Sequence, residues 1–67
     1  MTREQAIQAA ETYGNQNGQS IMVYTYQGHC HLAHTLPMHG KRIGRYYPAN
    51  YTTAGWVFAD AKGDWPC

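Results

Sequence analysis

Charge is scarce in this chain. Asp, Glu, Lys and Arg make up 13% of it and the formal net charge is +1, whereas domains that bind polyanions through their overall charge carry a large basic excess. A general polyanion binder is thereby excluded, and any electrostatic function has to be local. Acids are scarcest. Glu4, Glu11, Asp60 and Asp64 are the only four, and they form no evident carboxylate pair for acid–base work. Long apolar runs are missing too: nothing approaches the roughly 18 residues of a membrane helix, and no basic segment followed by an apolar one opens the chain. A soluble, cytoplasmic protein without membrane contact is expected.

Cysteine is limited to Cys30 and Cys67, too few for a disulfide framework. In a reducing cytoplasm both stay as thiols; paired, they close a long loop worth roughly 3–4 kcal/mol in the chain-entropy model. The sequence decides neither. Also absent are a glycine-rich phosphate loop, a C-x2–4-C arm, an internal repeat and a linker. The 67 residues make one domain, 1–67, which buries only about 60% of its unfolded surface and has no room for an enclosed catalytic cavity.

Aromatic residues, by contrast, are plentiful: six Tyr, two Trp and one Phe, too many for a disordered chain. Thr2 and Gln5 have the spacing of a capping box, which starts a helix. Ala6, Ala9, Ala10 and Tyr13, widened by Ile7, form its apolar stripe, and Gly14 with Asn17–Gly18 just beyond is expected to end it. Residues 20–27 are β-branched and aromatic and read as a strand, with Ile21, Val23 and Thr25 on one face and Met22, Tyr24 and Tyr26 on the other. Gln27–Gly28 offers a turn into a hairpin partner, "HCHLAHTL", that Pro37 stops. Further strands are expected around "RIGRYY" and "GWVFAD", the last closed by "AKGD". The fold class is α+β, with one N-terminal helix packed on a three- or four-stranded antiparallel sheet.

All four histidines and Cys30 fall within residues 28–40. Strand alternation divides them, putting Cys30, Leu32, His34 and Leu36 on one face and His29 and His31 on the other. Zinc needs convergent ligands, four in a structural site. Cys30 with His34 and His39 is a partial set, and a buried thiol flanked by surface or edge histidines is preferred; no metal or cofactor is assigned. A Cys30–His34 catalytic pair fails on distance, about 13 Å by the usual strand rise, and no enzyme is expected.

The stretch from Lys41 to Tyr51 combines Lys41, Arg42 and Arg45 with Tyr46, Tyr47 and Tyr51. Arg and Tyr anchor protein interfaces, and the same mixture stacks on bases and neutralises phosphates in single-strand binders. The structural alternative has Ile43 and one of Tyr46 or Tyr47 facing the core while the basic groups solvate a strand.

A capped helix followed by a short sheet ending in "GWVFADAKGDW" resembles, in size and element order, small phage-encoded inhibitors of bacterial defence, including anti-CRISPR proteins. The resemblance implies a non-enzymatic, stoichiometric inhibitor whose partner is a bacterial host protein or protein complex. It transfers no binding residue, and the near-neutral charge departs from the acidic DNA mimics among such proteins. The expected function is protein binding through Lys41, Arg42, Arg45, Tyr46, Tyr47 and Tyr51, with a small nucleic-acid-binding domain using the same stretch as the alternative.

Overall fold

The computed structural model describes residues 1–35, 37–58, 65 and 67. It contains one helix, α1 (Arg3–Asn17), and four strands, β1 (Ile21–Tyr26), β2 (His29–Ala33), β3 (Lys41–Tyr47) and β4 (Gly55–Phe58). The strands form one antiparallel sheet in the order β2-β1-β3-β4, with α1 across one face.

Helix α1 starts where its capping box dictates. The Gln5 amide donates to Thr2 Oγ1 at 3.2 Å and the Thr2 amide donates to Gln5 Oε1 at 2.9 Å, so two otherwise orphaned donors are satisfied reciprocally. Its end differs from expectation. The helix runs through Gly14 to Asn17 and is closed by Gly18 in the left-handed region, φ 63°, whose N–H reaches Gly14 O at 2.8 Å. Gly14 serves packing instead: it is buried with Ala6 and Ala10, one small residue per turn on a single face, so the helix axis sits close to the sheet.

In the β1–β2 hairpin, Gln27 and Gly28 both adopt positive φ, 54° and 77°, as the twist-compatible two-residue turn requires. That turn sets the pairs Tyr26↔His29, Tyr24↔His31 and Met22↔Ala33. Strand β2 stops at Ala33, earlier than expected, and His34 and Thr35 leave the sheet; Leu36 lies outside the described residues. So do the last two positions of "GWVFAD" and the "AKGD" turn.

Strand β3 carries the irregularity that shapes the molecule. Val23 pairs with Gly44 but Tyr24 pairs with Arg42, so Ile43 is an extra residue, a β-bulge. Ile43 and Gly44 are both buried, and Ile43 joins the core under the helix with Ala6, Ala10, Ile21, Val23 and Cys30. Tyr13, Leu32, Tyr46, Trp56, Phe58, Trp65 and Cys67 pack around that cluster. A side chain at Gly44 would meet Phe58 Cδ1 at 2.9 Å and Val57 O at 3.1 Å, so a glycine is needed next to the bulged residue.

The cysteines are joined. Cys30 and Cys67 form a disulfide across a Cα–Cα distance of 5.8 Å, which corrects the expectation of a free, buried Cys30 thiol. Cys30 points into the core, as strand alternation required, and there the bond holds residue 67 against β2. Nearby, Trp65 lies edge-on to Trp56 and Phe58, with the Arg3 guanidinium 5.8 Å from its ring centre.

Candidate functional site: the open face of the sheet

A regular strand would send Arg42 and Arg45, three residues apart, to opposite faces. The bulge at Ile43 cancels that alternation. Arg42 stands opposite Tyr24 and Arg45 opposite Met22, both on the face turned away from α1. The register therefore lays the open face out in rows across the strands: His31–Tyr24–Arg42, then Ala33–Met22–Arg45–Val57. His29 and Tyr26 form the row at the hairpin end, and Tyr47 opposite Gly55 the row at the other.

The rings on this face touch. Tyr24 and His31 are stacked with centroids 5.3 Å apart, His29 lies edge-on to His31 at 6.5 Å, and His39 reaches Tyr26 from the loop before β3 at 6.3 Å. That loop lies directly on the sheet. A Cβ at Gly40 would fall 2.6 Å from the Tyr24 ring, so the missing side chain lets the backbone settle there. Tyr24, Tyr26, Pro37, His39 and Gly40 line a cleft of about 290 Å³.

The basic residues are not equivalent. Arg42 is exposed. Arg45 is half-buried and its guanidinium is occupied, donating to Ser20 Oγ at 3.1 Å and His34 O at 2.8 Å. It fastens the start of β1 to the chain leaving β2 and flanks Met22, only 1% exposed. Lys41 is exposed at the start of β3, where its carbonyl accepts from Thr25 Oγ1 at 3.4 Å.

The three tyrosines separate as well. Tyr46 pairs with Ile21 and Trp56 on the helix side, packs on Trp56 at 5.4 Å and donates its hydroxyl to Asn15 Oδ1 at 3.1 Å. It is a packing residue beneath α1 and leaves the contact surface to which the sequence reading assigned it. Tyr47 is on the open face. Tyr51 meets it edge-on at 5.3 Å, accepts the Ser20 amide at 3.2 Å and, with Tyr47, Thr52, Thr53 and Val57, forms a corner cleft of about 340 Å³. Of the six residues singled out, Arg42, Arg45 and Tyr47 share the open face, Tyr51 borders it and Lys41, paired with Thr25, belongs to the helix side.

The sequence reading missed Tyr24, Tyr26, His29, His31 and His39 as site residues. The signal was present: a two-residue turn at Gln27–Gly28 pairs 26 with 29 and 24 with 31, which puts the hairpin's tyrosines and histidines on one surface. The fourth histidine goes elsewhere, as His34 Nε2 shares a 2.8 Å hydrogen bond with Tyr13 OH on α1. Among the described residues no three His, Cys, Asp or Glu side chains converge to hold a metal ion. Cys30 is buried and bonded to Cys67, so in this form it is neither a thiolate ligand nor a nucleophile. No helix in the described residues is long and apolar enough to cross a membrane.

Comparison with protein-family models, curated proteins and solved structures found no match to this chain.

Proposed function

We propose that this chain is a non-enzymatic binding module that receives a single-stranded nucleic acid on the open face of its sheet. The row His31–Tyr24–Arg42 carries the reading. It puts two stacked rings beside an exposed guanidinium on a face with no carboxylate among the described residues. Flat rings accept bases of any sequence, and cations follow the phosphates. A four-stranded sheet whose aromatic side chains stack on two or three bases is one established way of holding single-stranded RNA.

The low net charge, which argued against a general polyanion binder when only the sequence was considered, weighs less once the charges are located. Arg3, Glu4 and Glu11 lie on α1, whereas Lys41, Arg42 and Arg45 all lie on β3. Among the described residues, positive charge is thus concentrated in the sheet layer.

A second reading keeps the protein partner, as a small phage- or mobile-element-encoded inhibitor of a bacterial host complex. It is favoured by the Tyr47–Tyr51–Val57 corner, where Val57 is 46% and Tyr51 37% exposed. Aromatic rings beside an apolar side chain are the composition of an interface core.

Anisotropy titration of a labelled oligothymidylate against increasing salt tests the first reading. Phosphate contacts make affinity fall steeply with salt, and Arg42→Ala flattens the dependence by about 0.7, one single-strand contact's share. No binding at low salt, together with capture of a host protein that Val57→Asp abolishes, establishes the second. A cytoplasmic location, expected from the sequence, is opposed by the Cys30–Cys67 bond, because that pool is reducing; trapping both as free thiols in freshly lysed cells restores it, and finding them bonded removes it.

A further inference from the structure

Beyond Arg42, the open face carries its potential for positive charge in the three imidazoles gathered at the hairpin end. His29 and His31 come from β2, and His39 comes from the loop before β3. Among the described residues their surroundings hold nothing to neutralise them. From β1 they meet Tyr24 and Tyr26, from β3 the charged neighbour in register on this face is Arg42, Lys41 being paired with Thr25 on the helix side, and the loop adds Pro37, Met38 and Gly40. The acids of α1, Glu4 and Glu11, belong to the layer on the opposite side of the sheet, where Glu11 already accepts the Trp56 indole N–H. Among the described residues, then, no carboxylate faces these histidines.

Imidazole ordinarily gains its proton near pH 6.5. Among the described residues the open face offers the exposed Arg42 guanidinium, and each imidazole in its protonated form would add a cation beside rings able to stack on bases. An imidazolium carries two N–H donors and no acceptor, which suits phosphate oxygens. A neutral imidazole on this exposed surface offers a stacking plane without charge.

We infer that His29, His31 and His39 form a second, protonation-dependent phosphate subsite, which engages the backbone of a strand whose bases rest on the exposed Tyr26 ring. This rests on the single-strand reading above and adds its regulation by pH. At neutral pH the strand is held from the Arg42 side alone; in acid the hairpin end takes hold of it as well. Each phosphate neutralised on a single strand contributes about 0.7 to the salt slope, so three imidazolium contacts steepen the slope by about 2. The affinity lost between about 50 and about 200 mM salt then grows roughly 20-fold on acidification.

The test uses the disulfide-bonded protein and a fluorescein-labelled oligothymidylate of about twelve nucleotides, within single-strand site sizes. Anisotropy is followed through a salt series at about pH 7.5 and about pH 5.5, on either side of the imidazole range. Circular dichroism checks that the fold persists at both. The expected result is measurable binding at the higher pH and a slope steeper by about 2 at the lower. The combined variant His29→Gln, His31→Gln, His39→Gln, which also takes the His31 ring out of the stacking row, should bind more weakly than the parent at the higher pH and show one salt slope at both pH values, while His34→Gln, off the face, should keep the parent's acid increment. An acid increment that survives in the combined variant overturns the subsite. Binding with one slope at both values overturns it and leaves the single-strand reading standing. No binding at either pH removes both. Displacement of the oligonucleotide by polyglutamate at equal concentration in acid would show that anions in general are captured, and would overturn a nucleic-acid ligand.

Discussion

The indole N–H of Trp56 donates to Glu11 Oε2 at 3.0 Å, joining β4 to α1 across 45 residues of chain. Trp56 also packs on Tyr46, Phe58 and Trp65, so this one bond orients the ring at the centre of the aromatic cluster. The bond is part-buried, and hydrogen bonds to charged groups contribute about 1.5–3 kcal/mol. Glu11→Ala should lower the unfolding free energy by about that amount, read from urea curves followed by tryptophan fluorescence. Glu11→Gln keeps an acceptor in place and should recover most of the loss. Equal costs for the two would show that the helix, not the bond, is what the substitution harms.

Gly14 sets two effects of opposite sign against each other. In an exposed helix, Gly→Ala stabilises by about 1 kcal/mol. Here the added Cβ would lie 2.9 and 3.1 Å from the Tyr46 ring and 3.2 Å from Gln19 O. The ring has little freedom to yield, being held by Asn15 and Trp56, and forced overpacking costs about 1–3 kcal/mol. Gly14→Ala should therefore destabilise on balance. A thermal melt that rises would mean the ring moves aside freely.

How far the sequence disclosed this arrangement depended on whether the deciding contact was local. The capping box at Thr2 and Gln5, the turn at Gln27–Gly28 and the two faces of β1 follow from neighbours a few residues apart, and all are as read. Gly14 was read as a helix end because nothing nearby shows that Tyr46 will lie against it. The bulge had a local sign, a lone glycine inside a strand pattern, but the sign does not say which neighbour becomes the extra residue. Without that, strict alternation separates Arg42 from Arg45 and leaves the choice between Tyr46 and Tyr47 open. The Cys30–Cys67 bond depends on where the chain returns after β4, which no spacing reveals.

Arg42 and Arg45 share a face and should respond differently to truncation. Arg45→Ala removes two hydrogen bonds, to Ser20 Oγ and His34 O, and strips cover from Met22, a loss of about 1–3 kcal/mol. Arg42→Ala, at an exposed position, should cost less than about 0.5 kcal/mol. Urea denaturation of the two variants, run beside the oligonucleotide titration, separates a binding residue from a bracing one. Arg42 should lose affinity with its stability intact. If the Arg45 variant were as stable as the parent, its two bonds would have no energetic weight, and Arg45 would return to the list of contact residues.

The disulfide spans 37 positions. In the chain-entropy model a loop of that length restricts the unfolded ensemble by about 4 kcal/mol, against about 5–15 kcal/mol for a whole small domain. Cys67→Ser should therefore remove about 3–4 kcal/mol, and dithiothreitol should bring the parent protein to the same urea midpoint. Cys30→Ser should cost more, because Cys30 is 1% exposed among Ile21, Val23 and Ile43, and a hydroxyl there loses its water without gaining a partner. It should also cost far more than His31→Ala on the open face. If Cys67→Ser instead left the midpoint unchanged under non-reducing conditions, the clamp at residue 67 would contribute nothing. Equal costs at Cys30 and His31 would mean that the hairpin register is off by one, which would turn the histidines inward and dissolve the open-face site along with the proposal built on it.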